Sequence, residues 1–303
     1  MRDQNQSLAL KGLCFFPPPR HEAAMRALQV QTFKSAPVLA DLPDLPPQDG
    51  QVRVRVEACG LNFADLLMIK GEYQETPNPP FTLGLEAAGF IDAVGEGVSS
   101  FNLGDRVMVF GAYGGLAESM IAPVSACHAL PDDISMVDAA AFQIAYGTSH
   151  LALTLRAELK PKERLLVLGA AGGVGLTAVE IGAALGAEVI AVARGEEKLA
   201  VAKAAGAHHV VDAGDPDLTK TLRAAGGVDV IYDPVGGSLA EAALKACNRG
   251  GRFLVIGFAS GDLPQVKLNH LLVKNISLHG FYWGGYEAFD PEPMRRSLGE
   301  LVT

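Results

Sequence analysis

Between Gln51 and Ala58 apolar and polar residues alternate without interruption. Val52, Val54 and Val56 fall on one face and Arg53, Arg55 and Glu57 on the other, the period-two pattern of a half-buried strand. Similar short β signals occur at Met25–Val30 and, bounded by Gly or Asp turns, at Ala87–Val94 and Arg106–Phe110. Many short strands with few helices predict a barrel-like β domain over residues 25–145. A helical stretch, Met136 to Leu155, leads out of it.

The pattern then changes. Leu165-Leu166-Val167-Leu168 is a continuous apolar run, and strands read at Arg164–Gly169, Ala187–Ala193, His208–Val211, Val228–Tyr232, Arg252–Gly257 and Ile276–Trp283, with helical spacing between most of them. Six such strands predict an α/β architecture, a doubly wound parallel six-stranded sheet over residues 146–286. As the last strand of that unit, Ile276–Trp283 is expected at the sheet edge, where it invites pairing with a second copy. Residues 287–303 read as the start of a segment returning to the first domain, cut short inside a helix at Pro293–Val302. Residues 1–24, with Pro17-Pro18-Pro19 and no sustained periodicity, read as a disordered leader or extension.

The first strand of the second domain runs into Gly169-Ala-Ala-Gly-Gly-Val-Gly175 and then a helix. A buried strand, a glycine turn and a helix N-terminus together bind a dinucleotide pyrophosphate. Gly172 lets the chain turn, Gly173 leaves room for phosphate, and Gly175 lets the helix approach the strand. The tip of the next strand carries Arg194, with Lys198 one helical turn on, and no carboxylate. An acid there would bind a ribose 2′-hydroxyl, whereas Arg194 suits a 2′-phosphate, so NADPH is expected rather than NADH. The plainer alternative is that Arg194 and Lys198 decorate a solvated loop, offset by Glu196 and Glu197.

Composition narrows the function classes. A net charge of −9 leaves no electrostatic footprint for nucleic acid or an anionic membrane surface. No apolar run reaches the length of a membrane span. The four cysteines have no C-x-x-C spacing, which argues against a zinc ribbon or disulfide framework and for a reducing cytoplasm. His208 and His209 are adjacent on a strand and point to opposite faces, and His150, His270 and His279 have no evident acidic or thiol partner.

These features, with Val56-Glu-Ala-Cys-Gly-Leu-Asn-Phe-Ala-Asp65, Gly84-Leu-Glu-Ala-Ala-Gly89, Gly104-Asp-Arg-Val107, Asp233-Pro-Val-Gly-Gly237, Val255–Gly261 and Gly280–Tyr286, make the chain resemble the zinc-independent quinone oxidoreductase (ζ-crystallin-like) branch of the medium-chain dehydrogenases/reductases over about residues 25–290. The resemblance implies a GroES-like first domain, a homodimer, and hydride transfer from NADPH to a quinone or enone. The alternatives it leaves are a zinc-free alcohol or enoyl-thioester reductase and an NADPH-binding protein without turnover. Zinc-dependent relatives have a thiolate and an imidazole where this chain has Asn62 and Leu85, neither able to hold Zn²⁺. Without a Lewis acid, reduction of an electrophilic acceptor is favoured over alcohol oxidation.

The resemblance also implies site residues. Asn62, Tyr73 and Thr148 would surround nicotinamide and acceptor, Thr148 at a helix start. Ala171, Val174, Val235, Gly257, Phe258, Ala259, Phe281 and Trp283 would join Gly172, Gly173, Gly175, Arg194 and Lys198 around the cofactor. Structural alternatives remain: Asn62 as the N-cap of Phe63–Lys70, Asp65 as support for that helix dipole, Tyr73 as a loop cover, and Thr148 as a buried hydroxyl bonded to the preceding turn.

Overall fold

The computed structural model describes residues 13–14, 24–111 and 113–302, which divide into one unit ending at Ile144 and another starting at Ala145. The first holds β1 (Leu13–Cys14), β2 (Ala24–Val30), β3 (Val38–Pro43), β4 (Gln51–Gly60), α1 (Phe63–Lys70), β5 (Phe81–Thr82), β6 (Glu86–Val94), β7 (Arg106–Phe110), β8 (Ser119–Pro123), β9 (Cys127–Ala129) and α2 (Met136–Ala140). All pairings are antiparallel. The barrel-like domain is built as two sheets, β1-β4-β6-β7-β9 with β8 also on β4, and β3-β2-β5. Val52, Val54 and Val56 of β4 are almost fully buried, as the alternation requires. Each such side chain contributes roughly 1.5–3 kcal/mol on leaving water.

The leader expected over residues 1–24 lies largely outside the described residues. Two of its residues depart from it: Leu13 and Cys14 pair with Gly60 and Cys59 of β4. Strand β2 begins one residue before the expected start, at Ala24.

The expected continuous helix from Met136 to Leu155 is three pieces: α2, then α3 (Gln143–Leu151), then a π-helical turn over Ala152–Arg156. The break at Ala141–Phe142 has a tertiary cause. The buried Glu86 carboxylate accepts the Ile144 backbone N–H at 3.0 Å, so a side chain distant in sequence caps α3 where α2 would otherwise continue.

The second unit alternates β10 (Arg164–Leu168), α4 (Gly173–Ala184), β11 (Glu188–Ala193), α5 (Glu196–Ala204), β12 (His209–Asp212), α6 (Leu218–Ala224), β13 (Val228–Asp233), α7 (Gly237–Ala246), β14 (Cys247–Val255), α8 (Leu268–Lys274) and β15 (Ser277–Gly280), then ends in α9 (Tyr286–Phe289) and α10 (Pro291–Leu301). The six strands are parallel in the order β12-β11-β10-β13-β14-β15. Leu165 to Leu168 are wholly buried, as expected of strands covered on both faces.

Most strand boundaries shift by one or two residues, and two differ by more. Strand β14 starts at Cys247 rather than Arg252, its polar Asn248–Gly251 stretch joining β13 through a register shift. Strand β15 covers only Ser277–Gly280 of the expected Ile276–Trp283. Phe281 and Trp283 stay buried but pack beyond the ladder, Phe281 against the Tyr286 ring at 5.7 Å between centroids. The strand does form the sheet edge.

Candidate active site

In the second unit the predicted nucleotide residues gather at the carboxyl ends of adjacent strands. The turn after β10 carries Ala171, Gly172, Gly173 and Val174, with Gly172 and Gly173 exposed. A Cβ on Gly173 would meet nothing within 4 Å, whereas one on Gly175 would lie 2.2 Å from the Gly169 carbonyl oxygen. Open space over Gly173 and close packing under Gly175 are what a pyrophosphate cradle requires. The unbonded amides and dipole of the twelve-residue α4 point at that space. The donor set therefore fits a dinucleotide.

Beneath the turn, a buried hydroxyl network joins three elements. Ser149 Oγ on α3 lies 2.7 Å from Thr177 Oγ1, 3.0 Å from Tyr232 Oη on β13, and donates to the Val174 carbonyl at 2.8 Å. Burial pushes the Tyr232 phenol up, against its bond with Ser149, so it remains a neutral hydroxyl.

On one side of the turn, Asp233 of β13 accepts the Val235 and Gly236 amides, both at 2.9 Å. The loops after β13 and β14 are joined by Ala259 N–H to Pro234 O at 3.0 Å and Ser260 N–H to Val235 O at 2.9 Å. Val235, Gly257, Phe258 and Ala259 thus share one ledge, with the Phe258 ring exposed. On the other side, Arg194 and Lys198 are exposed at and beyond the tip of β11.

The tip of β11 itself carries no acid, but the neighbouring strand brings one to it. Asp212, the register partner of Ala193 on β12, accepts the Gly195 N–H at 2.8 Å through Oδ2 and the Gly214 N–H at 2.7 Å through Oδ1. Those two amides first, and the Arg194 charge last, hold its carboxyl below the usual range. A fixed negative charge therefore stands beside Arg194, delivered by the next strand rather than by β11.

Two other expectations change. Thr148 lies in the middle of α3, not at its start, and is buried. His150, expected to have no acidic or thiol partner at ligand spacing, has Nδ1 2.8 Å from Ser297 Oγ and Nε2 3.7 Å from Glu300, which fastens α10 to α3. Trp283 is buried with its indole against Gly147, where a Cβ would come within 2.8 Å of the ring.

In the first unit Asn62 is the N-cap of α1, in extended conformation. Asp65 completes the cap by accepting the Asn62 N–H at 2.8 Å and also holds the Gly84 N–H at 3.1 Å. The Asn62 side chain turns to the Asp65 N–H in the reciprocal half of this capping box, and its Nδ2 donates to Glu86 Oε1 at 2.9 Å. Glu86 is 1% exposed, and burial pushes its carboxyl up to about 7 against the amides that bond it. Asp65 is pushed up to about 6, again chiefly by burial. Tyr73 is half-buried and packs on the apolar core of this unit. Glu86 was passed over in the sequence, although a carboxylate inside the apolar run Leu83–Gly89 is a legible signal of buried charge.

Two family models match the chain: the alcohol dehydrogenase GroES-like domain over residues 48–132 and the zinc-binding dehydrogenase over 173–297. The quinone oxidoreductase-like protein 2 homolog of Nematostella vectensis is 42% identical over 257 residues, spanning 83% of this chain and 70% of that protein. Quinone oxidoreductase-like protein 2 of Bos taurus is 38% identical over 281 residues, 91% and 80% of the two chains. The chain belongs to the quinone oxidoreductase family of medium-chain dehydrogenases/reductases. Among solved members of this family, the Escherichia coli quinone oxidoreductase complexed with NADPH superposes with a TM-score of 0.85 at 30% identity, over 91% of this chain and 86% of that one. The Thermus thermophilus quinone oxidoreductase, also solved with NADPH, gives 0.79 at 34% identity over 91% and 86%. The CurK enoyl reductase gives 0.82 at 27% identity over 92% and 87%.

The fold is thus a GroES-like domain followed by a six-stranded Rossmann sheet, and the protein is an oxidoreductase of this family. The word zinc in the second model's description finds no ligand set here. Asn62 is bonded to Glu86, Leu85 is a buried apolar side chain, and no three His, Cys, Asp or Glu residues gather to hold an ion among the described residues. No helix among the described residues is long and apolar enough to cross a membrane.

Proposed function

We propose that this protein is an NADPH-dependent, metal-free reductase of quinones. The observation that carries the reading is the open glycine turn with Arg194 exposed beside it, in a chain whose structural neighbours were crystallised with NADPH. When bound, NADPH supplies a hydride, which with one solvent proton takes a quinone to its hydroquinone. The chain's own residues bind and orient. The amides of Gly173, Val174 and Gly175 hold the pyrophosphate, Arg194 and Lys198 the 2′-phosphate, and Val235, Gly257, Phe258 and Ala259 one flank. Asn62 and Tyr73 offer hydrogen-bonding groups to the acceptor carbonyl, where negative charge develops, and Thr148 bonds the carboxamide. Phe281 and Trp283 act by packing within the second unit, Trp283 against Gly147 beside Thr148.

An enone is the second acceptor class, since hydride addition at its β-carbon needs the same carbonyl polarisation; the likeness to CurK enoyl reductase favours including it. The buried free thiols of Cys127 and Cys247 support a reducing cytoplasm. Assembly as a homodimer through β15 is supported by an apolar strip beside that edge: Leu268, Leu272, Val273 and Leu278 are all exposed. Sedimentation at twice the monomer mass is expected, and a monomer at micromolar concentration overturns this assembly.

Calorimetric titration should show NADPH binding more tightly than NADH, and Arg194→Glu should weaken NADPH by about ten- to a hundredfold, the worth of a charge-assisted contact. Equal affinities in the parent protein overturn the cofactor assignment. A panel of quinones, enones and enoyl thioesters, followed by NADPH consumption, tests the acceptor; absence of turnover on all three overturns the reductase reading.

A further inference from the structure

Glu86 is a buried carboxylate that nucleotide binding does not use. No cation is among its bonding partners: Oε1 takes the Asn62 side-chain amide at 2.9 Å, Oε2 takes the Ile144 N–H at 3.0 Å, and the Gln143 N–H also bonds it. The backbone at Gly60 lies directly on it, since a Cβ there would sit 2.8 Å from Oε1 and 2.3 Å from the Ala140 carbonyl oxygen. Beside it, the Gln143 side chain is wholly buried with neither amide atom partnered. Burying a carboxylate without a cation is costly, and an apolar side chain would fill the same volume at less cost. Its one side-chain partner is Asn62.

A terminal amide torsion is broad and roughly two-fold, so an unheld asparagine presents its oxygen or its NH₂ to a ligand with little preference. Bonding Nδ2 to Glu86, with the amide oxygen turned to the Asp65 N–H of the capping box, removes that freedom and leaves the second Nδ2 hydrogen for an acceptor. We propose that Glu86 is a positioning residue: by holding the Asn62 amide in one orientation, and by capping the first turn of α3, it sets the hydrogen-bonding face that Asn62 offers to the acceptor carbonyl. This rests on the reading of Asn62 as an acceptor contact. Loss of the Glu86 proton strengthens the hold, because a neutral carboxyl can itself donate and draw Asn62 Oδ1 inward instead. Of the titratable groups on elements packed around β6, Asp65 on α1 repels the Glu86 charge. Cys59 of β4 is a buried thiol, Arg55 and Glu57 of β4 bond each other, Asp138 of α2 bonds Ser135, and Arg106 of β7 bonds the Pro131 and Ile134 carbonyls.

Glu86→Gln keeps the shape and one acceptor oxygen for α3 but turns an NH₂ toward Asn62, forcing the amide to reverse. The expected result is a loss in kcat/KM for a quinone of about ten- to a hundredfold, the scale of one misdirected donor, with unchanged calorimetric NADPH affinity and loss of the ionisation near neutral pH from the rate profile. In an Asn62→Ala background the same substitution should cost almost nothing more, because the two residues act as a unit. Full additivity in the double variant, or an unchanged pH profile in Glu86→Gln, overturns the proposal. Should Glu86→Gln fail to fold, the pH profile of Asn62→Ala decides, since the neutral ionisation must vanish there too. Parent-level turnover in Asn62→Ala would instead overturn the acceptor contact itself.

Discussion

Glu188 at the start of β11 and Glu86 at the start of β6 share a side chain and differ in everything around it. Glu188 receives Arg164 through Nε at 3.1 Å and Nη2 at 3.0 Å, with His209 at 2.9 Å, and these bonds, Arg164's foremost, hold its carboxyl down at about 2. Glu163 is of the same kind. Burial works against its charge, but the Arg252 fork at 2.8 and 2.6 Å outweighs burial and keeps its pKa below the ordinary value. Glu86 meets amides alone, and burial carries it up to about 7. The first arrangement fixes a charge and fastens strands and loops together. The second keeps a proton within reach at neutral pH, and such perturbed groups concentrate where chemistry is done.

The largest effect should come from removing a fastener. Arg252→Ala strands the Glu163 carboxylate and the Ala157 carbonyl that Arg252 Nε holds at 2.9 Å. It should cost about 3 kcal/mol in chemical denaturation, while Arg252→Lys, which cannot make the fork, should recover only part of it.

A comparable effect of opposite pH sign is expected at Glu86. Its folded pKa lies above the unfolded one, as does that of Asp65, so the stability each permits is whole below about pH 4 and is lost as pH rises through about 6 to 7. Unfolding free energy should therefore fall across that window, by about 3 kcal/mol from Glu86, and Glu86→Gln should flatten the fall. Glu188 runs the other way: its contribution is present above about pH 4.5 and is lost as pH falls toward about 2. A flat parent profile between about pH 5 and 8 would remove the contrast.

The smallest effect belongs to the surface. Arg53 bonds Asp92 at 2.8 Å and Asp44 at 3.0 Å at the rim of β4, and Asp92→Asn should cost under about 0.5 kcal/mol, less in high salt.

Much of the fold was legible because the signals were local. Alternation in β4 and continuous apolar runs in β10, β11 and β13 follow directly from which faces are buried. What escaped was decided elsewhere in the chain. The start of β14 lies in a polar, glycine-bearing stretch, and the break before α3 depends on a carboxylate from β6. At Ile276–Trp283 apolar character persists after the strand has ended, because Phe281 and Trp283 bury beyond the ladder, against the Tyr286 ring and Gly147. The glycine turn and Arg194 could be read from spacing, whereas Asp212 beside Arg194 becomes visible only when strands are ordered in space. Asn62 could be assigned as a helix cap from its neighbours, but its bond to Glu86 joins residues on different elements.

Trp283, seated on Gly147, is the single tryptophan of the chain. Indole emission is therefore a one-site signal from the second unit, blue-shifted while the ring is dry and red-shifted when α3 lets it go. Far-ultraviolet circular dichroism sums over both units. Coincidence of the two melting curves would show one cooperative transition, and their separation would show two, so the placement of one ring makes the cooperativity of the whole chain measurable without any label.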